Sequence, residues 1–252
     1  MGGGDRWVVL AKDQHHEGLI TRGLAWILPD PNDVLLPASV HQKAAVTGLD
    51  GPGEGDCVRT ALLVVDPYND FVSRRGKGWP LIREVAGEVG LVANLRAAIG
   101  AARARDVPVI YAPHRRYRRK DGARPRYATP NQDLARLTRF FDDGGFGRRF
   151  HRDLEPAPGE FVASEHRVSS GFGGTDLDDH LRRIEVDHLV VCGLLTNTCI
   201  ESTVRQGVDL GYHVAVLTDA VAAWTRADHS AAIGGALRHV AHRLLTTREF
   251  AS

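Results

Sequence analysis

Cysteine is scarce in this chain and poorly spaced for cross-linking. The three cysteines, Cys57, Cys192 and Cys199, form no CxxC pair, which excludes the disulfide framework of a small secreted domain and fits a reducing compartment. Neither sign of charge is in excess. Against 32 Lys and Arg stand 31 Asp and Glu, so no global field favours nucleic acid or an anionic membrane. Long apolar runs are missing as well: none approaches the roughly 20 residues that span a bilayer. The opening MGGGDRWVVLAKDQHH lacks a basic region followed by an apolar signal core. A cytoplasmic protein is expected, with a small molecule or further copies of the chain as its partner. Internal repeats, heptads and low-complexity tracts are also lacking.

With 252 residues, 43% of them apolar, the chain can bury a full core as one domain. Residues 1–57 stand apart. Their stretches LPDPNDVLLP and GLDGPGEGD favour turns over long elements, and read as an N-terminal extension packing on the domain or on a neighbouring subunit. The domain itself is expected over 58–252.

From Thr60 onward, short apolar runs recur at TALLVVD, VPVIYAP, EFVASE, HLVVCG, YHVAVLTD and AHRLLTT, in the manner of buried strands. Between them, LIREVAGEVGLVANLRAAIGAARARD, DLDDHLRRIEV, CIESTVRQGVDLG and DHSAAIGGALRHVA have helical spacing. Alternation of strand and helix predicts a parallel sheet in a three-layer α/β/α sandwich. Open sheets of this kind bind ligands beyond the carboxyl ends of their strands. Asp66, His114, Glu165, His166 and the 193–199 turn all fall at such ends and share one predicted rim. The basic run RRYRRKDGARPR over 115–126 reads as a solvated loop, or as an anion preference through Arg115 and Arg116.

Cys199 lies in GLLTNTCIEST, directly after an apolar strand. Thr198 followed by Glu201 is a capping-box pattern, which predicts a helix with Cys199 in its first turn, its thiol partly exposed and its thiolate favoured. Cys192, inside the strand, reads as an inert core cysteine. Asp66 closes TALLVVD, where burial of its carboxylate demands a partner; the blander reading makes it a cap for the PYNDF turn, a task open to Asp70 instead. His166 follows the third strand beside Glu165. Together Asp66, His166 and Cys199 supply a base, a polarising group and a nucleophile, with the Cys199 N–H at the helix start as one oxyanion donor. Tyr68, Phe71, Trp79, Tyr111 and Phe172 are near these motifs in sequence and serve either the pocket wall or the core.

The stretches TALLVVDPYNDF, SSGFGGTDLDDHL and HLVVCGLLTNTCIESTVRQGVDLGYHVAVLTDA resemble the isochorismatase-like cysteine hydrolase superfamily over roughly residues 58 to 248. The resemblance implies a Rossmann-like six-stranded parallel sheet in a homo-oligomer, a dimer or tetramer, and amidohydrolase chemistry on a C–N bond through an acyl-enzyme on Cys199. It matches Asp66 to the catalytic aspartate and makes Leu195 N–H the second oxyanion donor, turned inward by a cis peptide after Leu194. A lysine is normal four positions before a Ser-Ala-Phe-like triplet. Counting back from Ser170 gives His166 instead, with Glu165 as the occupant if the loop shifts by one residue. Of the metal ligands found in nicotinamidases only His114 is well placed, so neither metal nor cofactor is expected. An ester or thioester hydrolase with the same nucleophile, and a binding protein on the same fold, are the competing readings.

Overall fold

The computed structural model describes residues 58–116 and 126–252. The proposed extension over 1–57, Cys57, and most of the basic run lie outside these residues. Six strands form one sheet: β1 (Thr60–Val65), β2 (Val109–Ala112), β3 (Phe161–Val162), β4 (His188–Leu194), β5 (His213–Ala222) and β6 (Arg243–Leu245). Their order is β3-β2-β1-β4-β5-β6 and every pairing is parallel. The order reverses direction between β1 and β4, where helices leave to opposite faces and a crevice opens at the strands' carboxyl ends.

Strand alternation sorts the core into two layers. Leu62 and Val64 of β1, with Val190 and Cys192 of β4, share a layer with the short α1 (Asn69–Val72), α2 (Trp79–Glu88) and α3 (Leu91–Ala104). Leu63 and Val65, with Leu189 and Val191, face α5 (Leu177–Arg183) and α6 (Glu201–Asp209). The stretch of helical spacing over 81–106 is therefore two helices. Gly90, with φ +65°, starts the second, and the axes bend by 66°. A left-handed residue ends a helix because it turns the chain away from the next backbone bond.

At the centre, Gly193 has φ +116°, and a Cβ there would lie 2.0 Å from the Val65 carbonyl oxygen. Only glycine lets β4 pass this close to β1. Among the described residues no single helix is long and apolar enough to cross a membrane.

Candidate active site

Asp66 follows β1 in the left-handed region, φ +52°, a conformation that aspartate tolerates better than most residues. Its backbone carbonyl, not its side chain, receives the Tyr68 amide at 2.7 Å. The carboxylate is thus released from turn duty. Asp70 does not cap that turn either; its carboxylate accepts from the more distant amides of Lys77 at 3.1 Å and Phe141 at 2.7 Å.

His166 comes from the loop beyond β3. Its amide donates to the Pro113 carbonyl at 3.0 Å and its carbonyl receives the Arg115 amide at 2.9 Å, which lashes the loop alongside the end of β2. The imidazole is then fully buried, with Nε2 donating to Asp66 Oδ1 at 3.2 Å. Glu165 points elsewhere: it pairs with the Arg116 guanidinium and accepts the Arg116 amide at 3.2 Å. The charge of Arg116, read above as a feature for anions, is compensated there.

Cys199 sits in the wide helical turn Thr196–Ile200 that precedes α6. Two expectations fail at this turn. The capping box between Thr198 and Glu201 does not form, because the π-type turn has no side-chain cap and Glu201 reaches forward to Arg205 at 3.0 Å. Nor is the thiol partly exposed and poised as thiolate: Cys199 is 8% exposed. Burial first, then the Asp66 charge and a hydrogen bond to that carboxylate, push its pKa well above the ordinary thiol value, while the Leu195 amide and the Thr198 hydroxyl pull weakly the other way. Two isolated observations complete the turn. The Leu194–Leu195 peptide is cis, and the buried Thr196 hydroxyl meets His229 Nδ1 at 3.0 Å.

Asp66, His166 and Cys199 therefore come from three separate strand ends and bring an oxygen, a nitrogen and a sulfur within 4.8 Å of one another. The carboxylate and the thiol open onto a cavity of about 210 Å³ whose walls include Phe71, Phe140, Phe141, Leu134, Leu195 and Trp224. His114 lines it too. Its Nδ1 donates to the Arg115 carbonyl at 2.8 Å, which leaves Nε2 as an acceptor; burial lowers its pKa and favours the neutral ring.

Of the expected wall residues, Phe71 and His114 line this cavity, and five others do not. Tyr68 is 2% exposed, packs on Phe141 and Phe150, and donates its hydroxyl to the His114 carbonyl at 2.9 Å. Trp79 borders a different hollow, with Val92 and Phe146. Phe172 stacks on Tyr212 in the other core layer, and Glu165 is held by Arg116. Tyr111, a strand residue, is buried in the core. Sequence reading missed the helix α4 (Pro130–Thr138), the pair Phe140–Phe141, and Trp224. Thr129 and Gln132 do form a reciprocal cap on α4, and ATPNQ was the available signal.

Residues 60–249 match the model of the Isochorismatase domain. The chain belongs to the isochorismatase domain family. Among curated members it is 35% identical over 172 residues to the ureidoacrylate amidohydrolase RutB of Pantoea ananatis (strain LMG 20103), covering 64% of this chain and 68% of that one. It is 32% identical over 186 residues to RutB of Pseudomonas syringae pv. syringae (strain B728a), covering 67% and 71%. A cysteine hydrolase structure from Pseudomonas syringae pv. phaseolicola 1448A superposes with TM-score 0.63 at 30% identity, over 77% of this chain and 91% of that one. The N-carbamoylsarcosine amidase of Thermoplasma acidophilum gives TM-score 0.53 at 26% identity, over 75% and 97%.

Proposed function

We propose that this member of the isochorismatase domain family is a hydrolase of non-peptide C–N bonds, acting on a small amide, carbamoyl or ureido compound through a covalent intermediate on Cys199. The observation that carries this reading is the Cys199 thiol set against the Asp66 carboxylate at the floor of the cavity. Its support from relatives is that two similar proteins are named as an amidohydrolase and an amidase.

The thiol rests protonated, so attack requires a base in contact with it. As sulfur bonds to the substrate carbonyl carbon, its proton passes to Asp66 and the carbonyl electrons move onto oxygen. The amides of Leu195 and Cys199 are the candidate donors to that oxygen. Collapse expels the amine, which takes the proton from Asp66. Water then attacks the thioester, giving its proton to Asp66, and releases the acid and the thiol. His166 holds Oδ1 of the carboxylate through these steps.

The cavity volume suits a metabolite-sized compound. Its aromatic wall favours a substrate with an apolar face turned toward Phe71, Phe140, Phe141 and Trp224, and His114 Nε2 can accept an N–H from it. A panel of ureido acids, carbamoyl amines, simple amides and esters, read by ammonia or acid release and by the intact mass of the protein, tests the proposal. Turnover of a C–N substrate with an acyl adduct mapped to Cys199 is expected. Turnover of esters alone, or an adduct elsewhere, overturns it.

A further inference from the structure

We propose that Asp66, His166 and Cys199 also form a binding site for Zn²⁺, and that the bound cation withholds the thiol from reaction. The site stands on geometry alone; only its inhibitory consequence rests on the hydrolase reading.

The donor set is the first observation. One carboxylate oxygen, one imidazole nitrogen and one thiol sulfur lie within 4.8 Å of one another, and these are the ligand types that zinc takes at about 2.0–2.3 Å. Tetrahedral ligands at those lengths stand roughly 3.3–3.8 Å apart, so a contraction on the order of 1 Å closes the site. His166 Nε2 and Asp66 Oδ1 are already 3.2 Å apart.

Unmet bonding capacity is the second. Apart from the Cys199 thiol that faces the carboxylate, Asp66 Oδ2 and His166 Nδ1 are buried without a hydrogen-bond partner, although the residues are 1% and 0% exposed. A buried carboxylate oxygen with no donor stronger than a thiol is costly, and a cation relieves it. Asp66 and Cys199 also border the cavity, which gives the ion a path and leaves a fourth position for water.

The identity of residue 166 matters here. An ammonium at this place has no lone pair to give and repels a cation, whereas a neutral imidazole is a ligand. Binding forms bonds from the metal to oxygen, sulfur and His166 Nε2; the Nε2 proton moves to the unpartnered Nδ1, the S–H bond breaks, and one proton is released to solvent. The site charge rises from −1 to 0, and the sulfur lone pair that would attack a carbonyl is held by the metal.

The test uses the full chain, stripped with chelator and titrated with Co²⁺ as a spectroscopic substitute. One equivalent should produce a sulfur-to-cobalt charge-transfer band that Zn²⁺ abolishes by displacement. The band should be lost in Cys199→Ser and in His166→Lys, each checked for native circular dichroism. Without any variant, Zn²⁺ at ten times its dissociation constant should slow iodoacetamide labelling at Cys199 about tenfold, and chelator should restore it. Absence of the band in the wild-type chain, or its persistence in a folded Cys199→Ser protein, overturns the proposal. The two readings fail separately: a band without turnover of any panel compound removes the hydrolase, and turnover without a band or protection removes the metal site.

Discussion

Nε2 of His166 meets Oδ1 of Asp66 at 3.2 Å, with both side chains closed to solvent. The imidazole fixes the direction of the carboxylate that faces the thiol. His166→Ala should therefore lower kcat by roughly 10² or more. Glu165→Gln removes a pair with Arg116 that touches neither Cys199 nor the Asp66 carboxylate, and should change kcat by less than about threefold. Steady-state kinetics on both variants decide the matter. A damaging Glu165→Gln beside a nearly silent His166→Ala would exchange the two assignments.

Removing the sulfur should abolish turnover without unfolding the chain, since Cys199→Ala deletes one small buried atom. The raised pKa of the thiol has a further consequence in the wild-type protein. Labelling of Cys199 by iodoacetamide should be slow at neutral pH and should accelerate as pH rises into the alkaline range, because only the thiolate reacts. Cys192, fully buried against the Leu63 carbonyl at 3.7 Å, should label only on unfolding. Rate against pH, read by peptide mapping, checks both; a Cys199 rate already at its plateau at pH 7 contradicts the geometry of a thiol held protonated by Asp66.

The same two thiols make stability depend on alkaline pH. Burial raises the pKa of Cys192, and burial with Asp66 raises that of Cys199, so the native state keeps protons that the unfolded chain loses above about pH 8.5. Stability is full below that value and declines above it, each thiol contributing a slope of about 1.4 kcal/mol per pH unit. Urea midpoints between pH 8 and 10 should fall. Cys192→Ala should lessen the fall, and an unchanged slope in that variant counts against the linkage.

The inner strands were legible because parallel strands buried on both faces read as unbroken apolar runs, as in the buried Val190, Val191 and Cys192, whereas the edge strands β3 and β6 are only partly buried. The trio was legible because each member ends or follows such a run. Three features were hidden for physical reasons. Gly90 breaks a helix whose apolar spacing continues on both sides of it. Helix α4 has no buried residue, and its mostly polar sequence PNQDLARLT contains no apolar run to mark it. The state of Cys199 depends on what surrounds it in three dimensions: a helix start lowers a thiol pKa, but burial beside a carboxylate outweighs that. Tyr68, Trp79 and Phe172 are close to the motifs along the chain, but Phe172 packs in the opposite core layer, and Tyr68 and Trp79, though in the layer of Phe71, do not line the cavity.

The cavity wall, finally, hangs on a residue that does not line it. Asp70 is 1% exposed and its carboxylate receives the Phe141 amide at 2.7 Å and the Lys77 amide at 3.1 Å. Lys77 in turn bonds the Arg139 carbonyl through Nζ. Gly147 lies so close over the carboxylate that a Cβ would come within 2.2 Å of it. Asp70 is thus a positioning residue for the segment that presents Phe140 and Phe141. Asp70→Ala leaves the buried Phe141 amide and the part-buried Lys77 amide without their acceptor, which should cost about 1–3 kcal/mol for the buried one, and should let the aromatic wall drift. Substrate binding depends on that wall and the thiol chemistry does not, so KM should rise several-fold with kcat changed much less. Gly147→Ala, which displaces the same contact from the opposite side, should give the same split. Asp70→Asn, able to accept one of the two bonds, should fall between. Unchanged KM in a folded Asp70→Ala protein would mean that the Phe140–Phe141 wall is held by its own packing against Phe71 and Trp224.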